Sequence, residues 1–269
     1  MLAPGRAERR YWADLWRYRE LFAILAWRDI SVRYKQTVLG LAWALVRPFL
    51  TMVAFTIVFG RLAKLPSDGA APYPIMVFVG LLPWFLFSSV LSEASSSLIG
   101  NANLISKVYF PRLLIPIAAA AVALADFLVN FAMLALLMAW FSFLPGWRAA
   151  LLPVFVALAA LASLGPALSL TALNVKYRDF RYIVPFIVQF GLYVSPVGFS
   201  SAVIPEKWRF WYSLNPIVGV IDGFRWCLLG EQSRLDAKSF AVSLGVAAIF
   251  LWFGVRHFRA TERSFADVI

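Results

Sequence analysis

The sequence predicts an all-α integral membrane protein with six transmembrane helices, an N-terminal amphipathic helix in the membrane interface, and short re-entrant helices capping the outer end of the bundle. Three observations carry that expectation. Hydrophobic residues make up 62% of the 269 positions and charged residues 14%, whereas apolar usage in soluble domains runs near half. Apolar runs of about 20 residues consume most of the chain, so no sizeable soluble core remains. The formal charge of +11 is carried by cations placed between those runs rather than along one face of a soluble fold. That pattern fits positive-inside topology better than a nucleic-acid partner, and none is expected.

The first element is read in residues 12 to 30, WADLWRYRELFAILAWRDI. At 100° per residue, Trp12, Leu15, Trp16, Phe22, Ala23, Ala26, Trp27 and Ile30 fall on one face, with Asp14, Arg17, Glu20 and Arg28 opposite; Arg19 is left to snorkel. The expectation is a helix lying against membrane lipids with its tryptophans at headgroup level. The apolar run at 21 to 27 is short and is followed by Arg28 and Asp29 rather than a small-residue cleavage site, so the N-terminus is expected to be retained.

Runs of 17 to 25 apolar residues then place spans at about 38–59, 73–98, 113–143, 150–173, 183–200 and 240–257. This divides the chain into a cytoplasmic N-terminus (1–37), a transmembrane domain (38–258) and a cytoplasmic tail (259–269). The third run is long enough to tilt or break near Pro116, and Pro83, Pro153, Pro166, Pro185 and Pro196 interrupt others. Such prolines require a packed bundle with re-entrant pieces. Residues 1–37, 99–112, 174–182 and 256–269 hold sixteen Lys and Arg between them, against eight in 60–72, 144–149 and 201–239. Both termini are therefore expected on the cytoplasmic side. Residues 201–239 contain apolar pieces too short to cross, broken by Asn215, Pro216 and Gly219, which read as re-entrant or interfacial helices. There is no internal repeat of the kind secondary transporters show. The lone Cys227 admits neither an intrachain disulfide nor a Cys-based metal cluster.

The chemistry of a membrane enzyme is missing. Paired carboxylates, an Asp-x-Asp metal site and a histidine base are absent; His257 sits at a span end between Arg256 and Arg259. No phosphate-cradling G-x-x-x-x-G-K-[ST] loop occurs, so any ATP hydrolysis belongs to another subunit.

The stretch RYKQTVLGLAWALVRPFL, residues 33 to 50, places Arg47 and Pro48 inside the first span. Intramembrane ionisable groups mark functional candidates, and Glu93 and Asp126 are the acids inside spans. Helical rise puts Arg47 roughly 14 Å, Glu93 roughly 7 Å and Asp126 roughly 20 Å from the inner face. Arg47 is thus expected to pair with Glu93 or Asp126 and hold three spans together; exposure to an anionic cargo is the functional alternative. Trp43, Trp84, Phe85 and Phe87 are candidate passage aromatics, whose flat rings stack on the C–H faces of sugars, although core packing is the commoner use of such rings. In residues 100 to 116, GNANLISKVYFPRLLIP, Asn101 or Asn103 is expected to cap a short helix that Pro111 ends. That helix would present Lys107, Tyr109 and Phe110 to a cytosolic groove.

Four motifs, RYKQTVLGLAW (33–43), LISKVYFPRLLIP (104–116), LNPIVGVIDGFRW (214–226) and ERSFADVI (262–269), occur in the order seen in the membrane subunits of type-2 ABC exporters. The chain resembles, over nearly its whole length, those that export O antigen, capsule or teichoic acid. The resemblance implies a homodimer in the bacterial inner membrane, joined to two copies of an ATP-binding subunit that holds ATP and Mg²⁺, with no cofactor on this chain. It implies a lipid-diphosphate-linked glycan as cargo and a channel to which spans one and five contribute. It makes 101–112 the coupling helix, with Asn103, Lys107, Tyr109, Phe110, Pro111 and Arg112. It makes 201–230 a pair of outer gate helices, with Trp208, Trp211, Tyr212, Asn215, Pro216 and Arg225. Family members vary at the polar position before the proline, so Arg47 inherits no role. Competing expectations are a permease for a drug or small lipid-like cargo, a polyprenyl-dependent glycosyltransferase and a passive channel.

Overall fold

A computed structural model describes residues 4–35, 38–69, 71–108, 110–177, 179–230, 233, 235–262 and 265. Among these residues every regular element is helical. Five segments are long and apolar enough to cross a membrane: Trp43–Leu62, Tyr73–Gly100, Leu114–Trp140, Trp147–Lys176 and Ala237–Thr261.

Two helices precede the first span, α1 (Pro4–Arg17) and α2 (Arg19–Lys35). The expected single helix bends at Tyr18, although Tyr18 N–H still donates to Asp14 and Phe22 N–H to Tyr18. Its faces also divide differently. Tyr11, Leu15, Tyr18, Leu21, Phe22, Leu25 and Ala26 turn toward the protein, while Trp12, Trp16 and Trp27 are exposed. A 100° projection puts both sets near one another; the packed set is the one that meets the bundle, leaving the tryptophan rim for headgroups.

The first span is α3 (Val38–Phe55), which continues through Pro48 and into a π-helical stretch, Thr56–Leu62. The Thr51 hydroxyl donates to the Arg47 carbonyl at 2.9 Å, reinforcing the turn at the proline. At the centre is α4 (Tyr73–Gly100), apolar all round from Ile75 to Phe87 and largely buried there, as a helical stretch without a polar face must be. It packs on α3, on α6 (Leu114–Trp140), on α7 (Leu152–Lys176), on α8 (Phe180–Val194) and on α10 (Pro216–Leu228). A short α5 (Ala102–Lys107) joins α4 to α6. The third span does not break, because Pro116 falls in the first turn of α6, where its missing N–H has no partner to lose.

Polar atoms and small residues fasten the bundle. The Thr171 hydroxyl donates to the Ala94 carbonyl at 2.9 Å and Asn174 Nδ2 to the Ser95 carbonyl at 2.8 Å, tying α7 to α4. A Cβ on Gly254 of α11 (Ala237–Thr261) would overlap the carbonyl of Gly165 in α7, so this crossing depends on small residues, as is common between membrane helices.

The fifth apolar run departs most from expectation. Instead of a helix over 183–200, α8 ends at Val194, and its 15 residues cover only about 22 Å. Residues 195–200 continue as non-helical chain, buried except for the half-buried Phe199. Arg225 makes this tolerable: Nη1 donates to the Phe199 carbonyl at 2.8 Å and Nη2 to the Val197 carbonyl at 3.1 Å. The Tyr73 hydroxyl takes the Gly198 carbonyl at 2.7 Å. Irregular backbone buried in an apolar bundle survives only when protein groups satisfy it. The short helices α9 (Glu206–Tyr212) and α10 follow at this far end of the bundle; α1, α2, α5 and the end of α11 pack together at the opposite, terminal end.

Candidate functional site

One helical face from each of α3, α4, α6 and α8 lines an open-sided cavity of about 790 Å³. Trp43, Ala44, Arg47, Pro48 and Thr51 line it from α3, and Trp84, Phe85, Ser88, Ser89 and Ser92 from α4. Both sets follow the i, i+1, i+4, i+5, i+8 spacing of a single face. Asp126 and Asn130 of α6, Gln189 of α8, and Arg33 and Tyr34 at the end of α2 complete the polar part. Trp84 is only 3% exposed and is set deep in the wall because Gly191 lets its ring approach: a Cβ there would lie 2.6 Å from Cη2. Trp43, 63% exposed, stands at the open side. Phe87 packs behind Trp84 at 5.6 Å between centroids and does not line the cavity.

The ion pairing corrects the sequence expectation. Glu93 and Asp126 are paired, but with Arg33 instead of Arg47: Nη1 meets Glu93 Oε1 at 2.8 Å and Nη2 meets Asp126 Oδ2 at 2.7 Å. The Tyr34 hydroxyl donates to Asp126 Oδ1 at 2.5 Å. The depth estimate failed because it set every span on one inner plane and ended the cytoplasmic segment before the bilayer. In the structure α2 packs along α6 and delivers Arg33 to a level where both acids reach one guanidinium. Among the described residues no carboxylate pairs with Arg47, which stays exposed on the cavity wall.

Sequence signals mark part of the wall and an aromatic face outside it. The run SSVLSEASSS (88–97) repeats small hydroxyls at helical spacing inside an apolar span. On α8, Tyr182, Phe186, Phe190 and Tyr193 form an exposed stripe, with Phe186 and Phe190 stacked at 5.9 Å.

At the terminal end, α5 exposes Asn103, Ser106, Lys107 and Val108. Asn101 occupies the N-cap position without capping: its Nδ2 donates to the Ser97 carbonyl at 2.9 Å and its Oδ1 accepts from Arg28 at 2.8 Å. Phe110 is 4% exposed and sits in the apolar cluster with Ile105, Leu113, Phe258 and Phe265, so it is not presented to a partner. Pro111 does not end α5, which stops at Lys107; its carbonyl accepts from Leu114 and opens the turn into α6. Arg112 is bound to Glu262 by its backbone N–H, 2.8 Å, and by its guanidinium. Tyr109 lies outside the described residues.

At the far end, Trp208 and Trp211 are exposed on α9. Asn215 caps α10 by accepting from Ile217 N–H at 3.3 Å and donates to the Ser195 hydroxyl at 3.0 Å; Pro216 follows at the first helical position. Arg225 is 1% exposed, a strut within the protein rather than a residue at a mouth, with Asp68 3.7 Å from its Nε. A second cavity of about 470 Å³ lies beside it, lined by Tyr212, Arg209, Asp68, Asp222 and Asp236 with several serines. Burial pushes the Asp222 carboxyl up to about 6, against the Ser201 hydroxyl that holds it at 2.6 Å. Among the described residues no group of His, Cys, Asp and Glu is placed to hold a metal ion, and His257 stacks on Phe253.

Known proteins match the sequence over most of its length. The chain is 26% identical over 258 residues to an O-antigen export system permease protein, RfbA, of Myxococcus xanthus, covering 95% of this chain and 98% of that protein. An RfbA of Klebsiella pneumoniae is 23% identical over 254 residues, 93% and 95% of the two chains. The polysialic acid transport protein KpsM of Escherichia coli is 24% identical over 250 residues, 88% and 92%. The family model for ABC-2 type transporters matches residues 20–229, from α2 through α10, and the chain therefore belongs to the ABC-2 type transporter membrane family.

Proposed function

We propose that this chain is the membrane-spanning, non-hydrolytic subunit of an ATP-driven exporter that carries a lipid-linked polysaccharide, of O-antigen, capsule or teichoic-acid type, across the bacterial cytoplasmic membrane. The observation that carries the reading is the wall of the larger cavity. Rings (Trp43, Trp84, Phe85) stand beside small hydroxyls (Ser88, Ser89, Ser92) and the amide of Gln189, with Arg47 facing in and bound to no carboxylate among the described residues. Flat rings stack on sugar C–H faces and hydroxyls exchange hydrogen bonds with a moving glycan. A guanidinium suits the anionic diphosphate of a lipid carrier. The relatives' cargoes, O antigen and polysialic acid by their names, support the same chemistry.

Two copies bring the exposed faces of α3 and α8 together around one passage. The fifth crossing is made by α8 and the buried segment 195–200 together, giving six crossings and both termini in the cytoplasm. ATP and Mg²⁺ reside on a separate subunit, which α5 engages through Asn103 and Lys107. Helices α9 and α10 close the outer mouth, positioned by Asn215, Pro216 and Arg225.

The test is a deletion strain. Surface polysaccharide is expected to vanish while glycan accumulates inside, and this chain expressed from a plasmid restores display. Normal surface glycan with altered resistance to a drug or small lipid would overturn the reading in favour of such a cargo.

A further inference from the structure

The motif ERSFADVI enters none of the roles above, yet its first residue holds the segment that follows α5. Glu262 is the C-cap of α11, where the last carbonyls of a helix lack intrahelical donors. Arg112, 150 residues earlier in the chain, meets it twice: its backbone N–H donates to Glu262 Oε1 at 2.8 Å, and its guanidinium donates to the Glu262 carbonyl. The contact is reciprocal. The carboxylate satisfies a partly buried backbone donor, and the cation sits at the negative end of the helix dipole.

The surroundings turn this contact into a junction. Phe258 and Phe265 pack edge to face at 5.4 Å on either side of Glu262, both fully buried among Ile105, Phe110 and Leu113. Arg259 lies 4.6 Å over the ring of Tyr11, drawing α1 to the same point. Burial and the neighbouring Glu262 carboxylate push the Tyr11 phenol up, so that ring stays neutral beneath the cation. The start of α5 is held by Arg28 on Asn101, so the stretch from Asn101 to Arg112 is held at its two ends.

We propose that Glu262 is a positioning residue: it locks the segment after α5 to α11 and α1, so that force applied to α5 moves three helices as one body. The inference rests on the coupling role given to α5 above. Without the lock, α5 yields locally and the push is lost before it reaches the spans.

The experiment compares wild type, Glu262→Ala and Glu262→Gln in proteoliposomes holding the complex with the ATP-binding subunit. Polysaccharide moved per ATP hydrolysed is expected to fall about tenfold in Glu262→Ala while hydrolysis persists. Glu262→Gln keeps an acceptor for the Arg112 N–H and retains most of the ratio. An unchanged ratio in Glu262→Ala overturns the proposal, as does a parallel loss of hydrolysis and export, which is what a purely structural role gives. A spin label at Lys107→Cys, in a Cys227→Ser background, supplies a readout independent of cargo. Its mobility is expected to rise in Glu262→Ala and not in Glu262→Gln. Equal mobility in all three overturns the lock, whereas a wild-type complex that moves no polysaccharide counts against the exporter reading alone.

Discussion

The guanidinium of Arg33 lies 2.7 Å from the carboxylate of Asp126, and through its other terminal nitrogen it also reaches Glu93. One cation at the end of α2 thereby joins α4 and α6 where the cavity begins. The assignment separates two arginines that the sequence places fourteen positions apart. Arg33 closes a structural triad, and Arg47 is left for the cavity.

That division predicts opposite phenotypes. Asp126 is the less exposed acid, 13% against 44% for the Glu93 side chain, and also holds Tyr34. Asp126→Ala should cost about 1–3 kcal/mol by stranding the Tyr34 hydroxyl and leaving Arg33 with Glu93 alone, and Glu93→Ala less, because exposed pairs are screened. Arg47→Gln should stay within about 0.5 kcal/mol of wild type, as substitutions at exposed sites do, while export falls. Thermal unfolding in detergent micelles, read beside surface polysaccharide, checks this. Equal destabilisation by Asp126→Ala and Arg47→Gln would contradict it.

Phe110 and Lys107 divide in the same way. Phe110→Ala removes a ring from the apolar cluster beneath α5 and should cost about 3–5 kcal/mol, seen as a lower melting temperature of the isolated chain. Lys107→Glu reverses a charge on the exposed face of α5. It should leave melting unchanged and weaken co-purification with the ATP-binding subunit. A Phe110→Ala chain as stable as wild type would contradict the packing described.

Arg225 is predicted to resist even lysine. Its planar fork serves two carbonyls of the broken fifth crossing, and a lysine's single ammonium does not reproduce that geometry. Arg225→Lys should cost about 1–3 kcal/mol, measured as a lower temperature of aggregation in size-exclusion chromatography of heated samples. A change confined to export, with unaltered stability, would contradict the strut and restore a role at the mouth.

What was legible in the sequence was what hydrophobic length and side-chain period encode. The spans of α4, α6, α7 and α11 and the two short helices after residue 201 lie where the apolar runs place them, because burying about 20 apolar residues outweighs local detail. The misreadings share one cause, tertiary context. The sequence places Arg33 in the cytoplasmic segment 1–37 because nothing in the period of α2 shows that it climbs beside α6. Phe110 looks like an exposed anchor until Phe258 and Phe265, from the other end of the chain, pack against it. Helix α8 stops at its C-cap Ser195, the extended residue before Pro196, a legible stop; what the sequence hides is that Arg225, 26 residues or more away, satisfies the carbonyls that follow. The serine run of α4 was readable and marks the cavity wall.

The central claim, that this cavity is the path of the polysaccharide, is tested most directly by filling it. Gln189 lines the cavity from the exposed side of α8 and takes no part in the Arg33 triad. Gln189→Trp should insert, fold and assemble with the ATP-binding subunit as wild type does. Surface polysaccharide in a deletion strain carrying this variant, quantified beside the internal pool, is predicted to be lost while glycan builds up inside. Wild-type display by a stably expressed Gln189→Trp chain would contradict the account.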